Sequence, residues 1–326
     1  MITNVTSLVR VWDGAAIPCD SFSLRLDVDS WAWGFNAAIP YDARSLIAPP
    51  TPGAPIELQA TIDGFNVRVI AEQISTNRQG LSASASVSGR GLTALLDAPY
   101  AASQVFGNTS ALTAAQLIDQ ALPPGWASNW TATDWLVPAG AWSHQGTPIT
   151  AAQVVAAAAG AFLRPFDTGL GWDVVPRYPA GPWDWATLTP DVSLPSAVVE
   201  VEGIQYVDKA RYNRVYVAGS GPGAVLARVT RAGTAGDLVA PMISSPLITH
   251  VDAGRQRGLP VLADTGRVVT ASLRMPVLPG VGVFRPGWLI DYVDAGITRR
   301  GIVRGVSVDV AFGNVSQAVE VESNEG

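Results

Sequence analysis

A strict alternation of apolar and polar residues near the start of the chain constrains the fold more than any other feature. In residues 21–28 every second residue is apolar, and serine, arginine or aspartate stands between. A period of two residues puts the apolar side chains on one face of a β-strand. Similar runs cover residues 56–62 and 81–88, and the pair Asp63–Gly64 predicts a type I′ hairpin turn. Several half-buried strands within a hundred residues predict a small antiparallel barrel or sandwich.

The period changes to that of helices in the middle of the chain and then changes back. Residues 113–122 and 150–162 carry apolar stripes at helical spacing, and we expect Thr113 and Thr150 to cap the two helices. In residues 249–266, glycines and a proline permit only short helical pieces. Strand candidates in the last part of the chain are residues 212–218, 225–230, 268–274, 289–293, 301–310 and 315–321.

These patterns predict a mainly β fold with a smaller α+β part. Two antiparallel β-barrel-like domains flank an α+β middle domain. The predicted domains are a first β-barrel domain at 1–108, an α+β middle domain at 109–200, and a second β-barrel domain at 201–326 with a short, partly helical insertion near 249–266.

Composition excludes several classes of function. The net charge is −6 and only 15% of the residues are charged, so the chain lacks the basic stripe that tight nucleic-acid binding needs. Cys19 is the single cysteine, which excludes an intramolecular disulfide and a four-cysteine metal or iron–sulfur site. His144 and His250 are too few for a metal cage built from histidines alone. We expect no cofactor and no metal.

We also expect no catalytic site and no membrane insertion. The sequence has no Gly-x-Ser-x-Gly nucleophile motif, and the glycine-rich residues 219–223 lack the lysine of a phosphate-binding loop. Residues 135–163 contain no charged side chain, but their helical part is shorter than the ~20 residues that a membrane span needs. Residues 1–4 lack the basic start of a secretory signal, so we expect synthesis and assembly in the host cytoplasm.

The 11 tryptophans are the one overrepresented residue type with chemical content. They fit core packing, a protein interface or stacking on sugar rings. Trp31 and Trp33 occupy alternate positions, which on a strand would point both rings the same way. The candidate interface residues are Trp31, Trp33, Trp126, Trp130, Trp183 and Trp185.

Several motifs, in order along the chain, resemble the tail hub proteins of long-tailed bacteriophages. These include the baseplate hubs of Mu-like phages and the hubs of siphophages and gene transfer agents. The resemblance covers most of the chain after residue 20 and rests on residues 63–65, 87–100, 148–165, 212–220, 258–266 and 278–290.

The resemblance implies a structural virion protein at the baseplate or tail tip. Two similar barrels per subunit would let a homotrimer form a pseudo-sixfold ring that joins the hexameric tail tube to tip or fibre proteins. Distal tail proteins and the tape-measure protein are the other implied partners, and genomic DNA passes through the ring without specific binding. Since a polyanion is held by arginines, we expect polar and acidic residues to outnumber arginines on the channel face.

The chain departs from the hub pattern in two ways. Some siphophage and gene-transfer-agent hubs carry an iron–sulfur cluster, which one cysteine cannot ligate. The last strand candidate also ends close to Gly326, so we expect receptor binding to be delegated to separate proteins.

Two other functions stay open at this point. One is a tryptophan-using, carbohydrate-binding or glycan-degrading tail protein. The other is a hydrolase that gathers an acidic residue with His144 or His250.

Overall fold

The strands of the first part follow the predicted alternation. A computed structural model describes residues 4–48, 55–79, 82–199, 201–278, 280–294, 296–311 and 313–324. The first strands are β1 (Thr6–Arg10), β2 (Ser21–Asp27), β3 (Gly34–Pro40), β4 (Ile56–Ile62), β5 (Phe65–Gln79) and β6 (Ser82–Gly91). Asp63 and Gly64 both have positive φ, 47° and 85°, which confirms the type I′ character of the turn between β4 and β5. Leu81, the first residue of one predicted strand, lies outside the described residues.

The middle part mixes short strands with two helices. Its elements are β7 (Gln104–Gly107), β8 (Leu112–Thr113), α1 (Ala114–Ala121), β9 (Ala127–Trp130), β10 (Leu136–Val137), β11 (Ser143–Gly146), α2 (Pro148–Ala158), β12 (Ala161–Pro165) and β13 (Gly171–Pro176). Thr113 caps α1 as predicted, in a capping box with Gln116. The predicted cap Thr150 is wrong, because α2 begins at Pro148 and has Thr147 as its N-cap. Proline suits the first helical position, where a backbone N–H has no partner in any case.

The last part returns to strands and adds a third helix. Its elements are β14 (Val192–Leu194), β15 (Val201–Asp208), β16 (Arg214–Gly219), β17 (Leu226–Thr230), β18 (Ile243–Ser245), α3 (Val251–Ala263), β19 (Arg267–Pro276), β20 (Leu289–Asp294), β21 (Ile297–Ala311) and β22 (Asn314–Asn324).

The prediction of only short helical pieces in residues 249–266 is wrong, since α3 is one helix of 13 residues. Its glycines are contact points and not breaks. A Cβ at Gly254 would lie 2.4 Å from the Cβ of Ala227, and one at Gly258 would lie 2.8 Å from Cγ2 of Val229. The absence of these side chains lets α3 lie directly on β17.

The strands of the first and last parts form one sheet. Its strand order is β1-β4-β5-β6-β3-β2-β21-β22-β19-β15, and β20 continues from β21 to pair with β14. The junction is the antiparallel pair of β2 and β21, in which Ser21 lies opposite Ala311 and Asp27 opposite Gly305. The apolar side chains of both parts meet in a single core beneath it, from Leu24 to Val319.

A second core lies in the middle of the chain. It combines α1 and α2 with residues of the last part, among them Val215 on β16, Ala227 on β17 and Ala253 on α3. Residues before and after position 200 thus pack together in this core. The division of the chain into three domains stays a prediction. Within the described residues, no helix is both long and apolar enough for a membrane span.

Candidate interaction surface on the joined sheet

The alternation that builds the core also gives the sheet an opposite face of small polar residues. On β2, Phe22 and Leu24 are buried while Ser21 and Ser23 face outward. On β6 the same period buries Val87 between outward-facing serines. We call this surface the serine-rich face. It consists of Ser21, Ser23, Arg25, Asp27, Asn36, Ala38, Ser84, Ser86, Ser88, Ser272, Arg274, Ser307, Asp309, Ala311, Ser316, Ala318 and Glu320.

The strand register aligns these residues in rows across the sheet. One row runs from Ser88 through Asn36, Ser23 and Asp309 to Ser316. The short side chains leave an open depression of about 590 Å³ over β2, β3, β6 and β21. The face therefore offers hydroxyl and amide groups but no large apolar side chain.

Charges on the serine-rich face are few and nearly balanced. Its acidic residues are Asp27, Asp309 and Glu320, and its basic residues are Arg25 and Arg274. Arg90 lies in the same row as Arg25 and is paired with Glu72. Arg274 donates a 3.1 Å hydrogen bond to the Ser316 hydroxyl. Neutral polar and acidic residues thus far outnumber arginines on this face.

Two of the six candidate interface tryptophans are core residues, and their assignment to an interface is wrong. Trp33 is fully buried, and its Nε1 donates a 3.3 Å hydrogen bond to Asp167. Trp185 is 3% exposed and donates a 3.0 Å hydrogen bond to the Ala180 carbonyl. The shared orientation of Trp31 and Trp33 is also wrong, because both lie in the connection between β2 and β3 and not on a strand.

The other four candidates are half-buried, and their interface role stays a prediction. They are Trp31, Trp126, Trp130 and Trp183. The Arg90 guanidinium lies 5.4 Å from the ring centre of Trp31, and Arg231 lies 4.7 Å from that of Trp183. These cations occupy ring surface that stacking on a sugar would need.

Sequence reasoning missed the most exposed tryptophan. Trp12 is 65% exposed in the turn after β1, with the Arg10 guanidinium 4.6 Å from its ring centre. The signal was available, because Asp13-Gly14 directly after it is typical of a turn. Tyr206 and Val207, 52% and 37% exposed on the edge strand β15, were missed as well.

The residues considered for catalysis have structural contacts. His144 Nε2 lies 3.0 Å from the Thr150 hydroxyl, and His250 accepts from the backbone N–H of Asp252 at the start of α3. Burial raises the pKa of the Cys19 thiol to about 11, so it carries little thiolate at neutral pH. Among the described residues, no group of three or more His, Cys, Asp or Glu side chains is placed to hold a metal ion.

Solved structures show where this fold occurs. A tail protein from Neisseria meningitidis MC58 matches with a TM-score of 0.68 at 15% identity, over 99% of this chain and 97% of that one. The 43 kDa tail protein of prophage MuSo2 from Shewanella oneidensis matches with 0.64 at 15% identity, over 97% and 98%. The E. coli type VI secretion component c3393, described as similar to the T4 tail proteins gp27 and gp5, matches with 0.56 at 9% identity, over 98% and 77%. No protein-family model and no curated protein matches the sequence. The mainly β, hub-like fold implied by the resemblance is confirmed.

Proposed function

We propose that this chain, which has the fold of phage tail proteins, is a structural subunit of a phage tail hub. Three copies form a ring at the distal end of the tail, at the baseplate or tail tip of the virion. The ring joins the tail tube to tip or fibre proteins. The observation that carries this proposal is the serine-rich face on a sheet shared by the first and last parts of the chain.

The serine-rich face is suited to line the passage for DNA and the tape-measure protein. Each phosphate that a protein neutralises releases counterions and adds affinity, so an arginine-rich wall would hold DNA. Neutral polar and acidic residues together outnumber the arginines on this face. Short hydroxyl side chains also offer little apolar area to a passing protein.

The edge strand β15 supports assembly into a ring. β15 pairs with β19 on one side, and Gly203, Gln205, Tyr206 and Val207 are exposed. An exposed edge strand with apolar side chains is a template for pairing with another chain unless something covers it. A neighbouring subunit or a distal tail protein fills this place, across an interface of more than ~2,000 Å² as expected for an obligate assembly.

Catalysis is not part of the proposed role. The half-buried tryptophans pack in the core or contact other tail proteins. The protein is assembled in the cytoplasm of the host. Incubation of the purified chain with peptidoglycan tests this. We expect no release of soluble sugar or peptide, and measurable hydrolysis would contradict the proposal.

Native mass spectrometry of the full chain tests the ring. We expect three chains of 34.1 kDa in one particle. Tyr206→Arg is expected to weaken this assembly, because it places a charge on the exposed edge strand. Thr234→Arg, on an exposed turn away from β15, is the matched control and should assemble normally. A monomer, or a closed ring of six copies, would contradict the proposal.

A further inference from the structure

A second cavity lies away from the serine-rich face, and no role described above uses it. Its volume is about 390 Å³, and its wall includes Asp29, Trp31, Gln153, Arg177 and Arg257. Asp29 stands in the turn after β2, Gln153 on α2, Arg177 directly after β13, and Arg257 on α3. Side chains from the sheet and from the helical part therefore converge on one space.

The Arg257 guanidinium at this cavity is half-buried and has no anionic partner among the described residues. Burial, and then the nearby charge of Arg177, lowers its pKa from the ordinary value. Buried charges in folded proteins are normally paired, because desolvation is costly without a compensating contact. The wall of the cavity thus carries an uncompensated positive charge.

The carboxylate that lines the cavity is already in use. Asp29 Oδ1 accepts from Nη2 of Arg177, and its side chain is 77% exposed. Two guanidinium groups and one carboxylate leave an excess of one positive charge. A single monoanion would neutralise it.

We propose that the cavity binds an oxyanion of the carboxylate class between Arg257 and Arg177. The planar guanidinium group matches a carboxylate in a bidentate pair, which is the strong form of this contact. The Gln153 amide adds a neutral donor on the same wall, and the Trp31 ring is part of the lining. At about 30 Å³ per water molecule, the cavity has room for a side-chain-sized group.

The carboxylate has two possible carriers: an acidic side chain of another protein chain and a free small organic acid. The chemistry at Arg257 is the same in both cases. This site does not depend on the tail role, since neither guanidinium lies on the serine-rich face.

Thermal unfolding in acetate tests the site, with chloride at equal ionic strength as the reference. The Tm of the wild-type full chain is expected to shift by about 2 °C at tenfold excess over Kd. A rise identifies an open site that a free acid fills. A fall, together with loss of assembled mass, identifies a site filled by another chain's carboxylate, which acetate displaces.

Arg257→Gln should abolish the acetate response, and Arg228→Gln, at an exposed arginine on β17, should keep it. An equal response in wild type and Arg257→Gln, or no response in wild type, would overturn the proposal. A crystal of the wild-type chain soaked in 3-bromopropanoate, a monocarboxylate that carries an anomalous scatterer, gives a test that needs no variant. An anomalous peak between Arg177 and Arg257, or a carboxylate of a neighbouring chain in its place, is expected there, and the absence of both overturns the proposal.

Discussion

Gly89 on β6 shows how one residue without a side chain sets the path of a strand. A Cβ built there would lie 1.8 Å from the carbonyl oxygen of Ile70 on β5, so no side chain fits without moving the backbone. The register between β5 and β6 shifts at this point, between Ala71 and Gln73. A β-bulge of this kind bends a strand and increases its twist.

Gly89→Ala is therefore expected to lower the free energy of unfolding by about 1–3 kcal/mol, as overpacking typically does. Gly34→Ala on β3 is the matched control, because the nearest atom to its Cβ position is the Arg25 carbonyl oxygen at 3.7 Å, an ordinary contact. Chemical denaturation of both variants measures the difference. Equal stability of the two variants would show that the β5 backbone moves aside without loss of stability.

Residue orientation on strands could be predicted from the sequence, whereas tryptophan burial could not. The alternation in residues 21–28 depends on local geometry, and β2 reproduces it residue by residue. The burial of Trp33 depends on Asp167 and on core side chains far along the chain. A local pattern carries no information about such partners.

At the scale of elements, a β-bulge in β21 attaches the sheet to the segment after β13. The register between β21 and β22 skips Arg304, between Val303 and Gly305. Its guanidinium makes two hydrogen bonds to Glu322, at 2.9 and 3.0 Å, and one of 2.9 Å to the Arg177 carbonyl. The Tyr178 hydroxyl donates to the same carboxylate.

Opposing effects set the pKa values of Arg304 and Glu322. Burial acts to raise the pKa of Glu322, but the hydrogen bond and charge of Arg304 outweigh it and hold the pKa below the ordinary value. Burial likewise acts to lower the pKa of Arg304, and the contacts with Glu322 and Tyr178 raise it overall. Both groups are therefore charged at neutral pH.

Arg304→Met is expected to lower the free energy of unfolding by about 3 kcal/mol at pH 7, because it leaves a buried carboxylate without its cation. Since the folded-state pKa of Glu322 is depressed, its contribution to wild-type stability is present above about pH 4.3 and is lost as the pH falls through the folded value. The difference in free energy of unfolding between wild type and variant should thus become smaller in acid. Denaturant unfolding at pH 7 and at pH 4 measures it.

Arg25→Met, at an exposed arginine on β2, is the control for this variant and should change stability by less than about 1 kcal/mol. If the difference in free energy of unfolding between Arg304→Met and wild type became larger in acid, this would contradict the assignment of a charged pair.

Helices could be located from sequence more reliably than their ends or lengths. The threonine before α1 signals its start correctly, but Pro148 extends α2 upstream of Thr150. Gly254 and Gly258 are typical of interruptions, and only the contact with β17 shows that they serve packing. Tertiary contacts decide where such helices begin and end, and these contacts cannot be predicted from the local sequence.

At the scale of the whole molecule, the weak charge of the serine-rich face leads to a prediction about DNA. The double variant Ser23→Arg and Ser86→Arg is expected to bind duplex DNA more tightly at low salt. Each added phosphate contact should steepen the slope of log K against log salt by about 0.9. Fluorescence polarisation of a labelled duplex measures this.

The matched control places two arginines elsewhere, at the exposed residues Ala102 and Ser103. In an assembled ring they should bind less DNA than the pair on the serine-rich face, because a channel concentrates the field of its wall. Equal binding by both variants would argue against a channel at this face.

The chain-wide sheet could not be predicted, although most of its strands could; β1, β3, β14 and β15 were not among the predicted strands. Alternation shows that β2 and β21 are strands, and it contains nothing that pairs residue 21 with residue 311. Two separate barrels and one joined sheet have the same local pattern. Only the fit of side chains in the shared core distinguishes them.

The pairing of β2 with β21 has a consequence for the synthesis of the protein on the ribosome. β2 is among the first strands synthesised, and its partner is among the last, so one edge of β2 stays bare for most of translation. Contacts between such distant residues form slowly, and unpaired edges are prone to aggregation in the interval. The same delay means that a truncated chain keeps an unfinished sheet, so only full-length subunits offer the surface from which a particle is built.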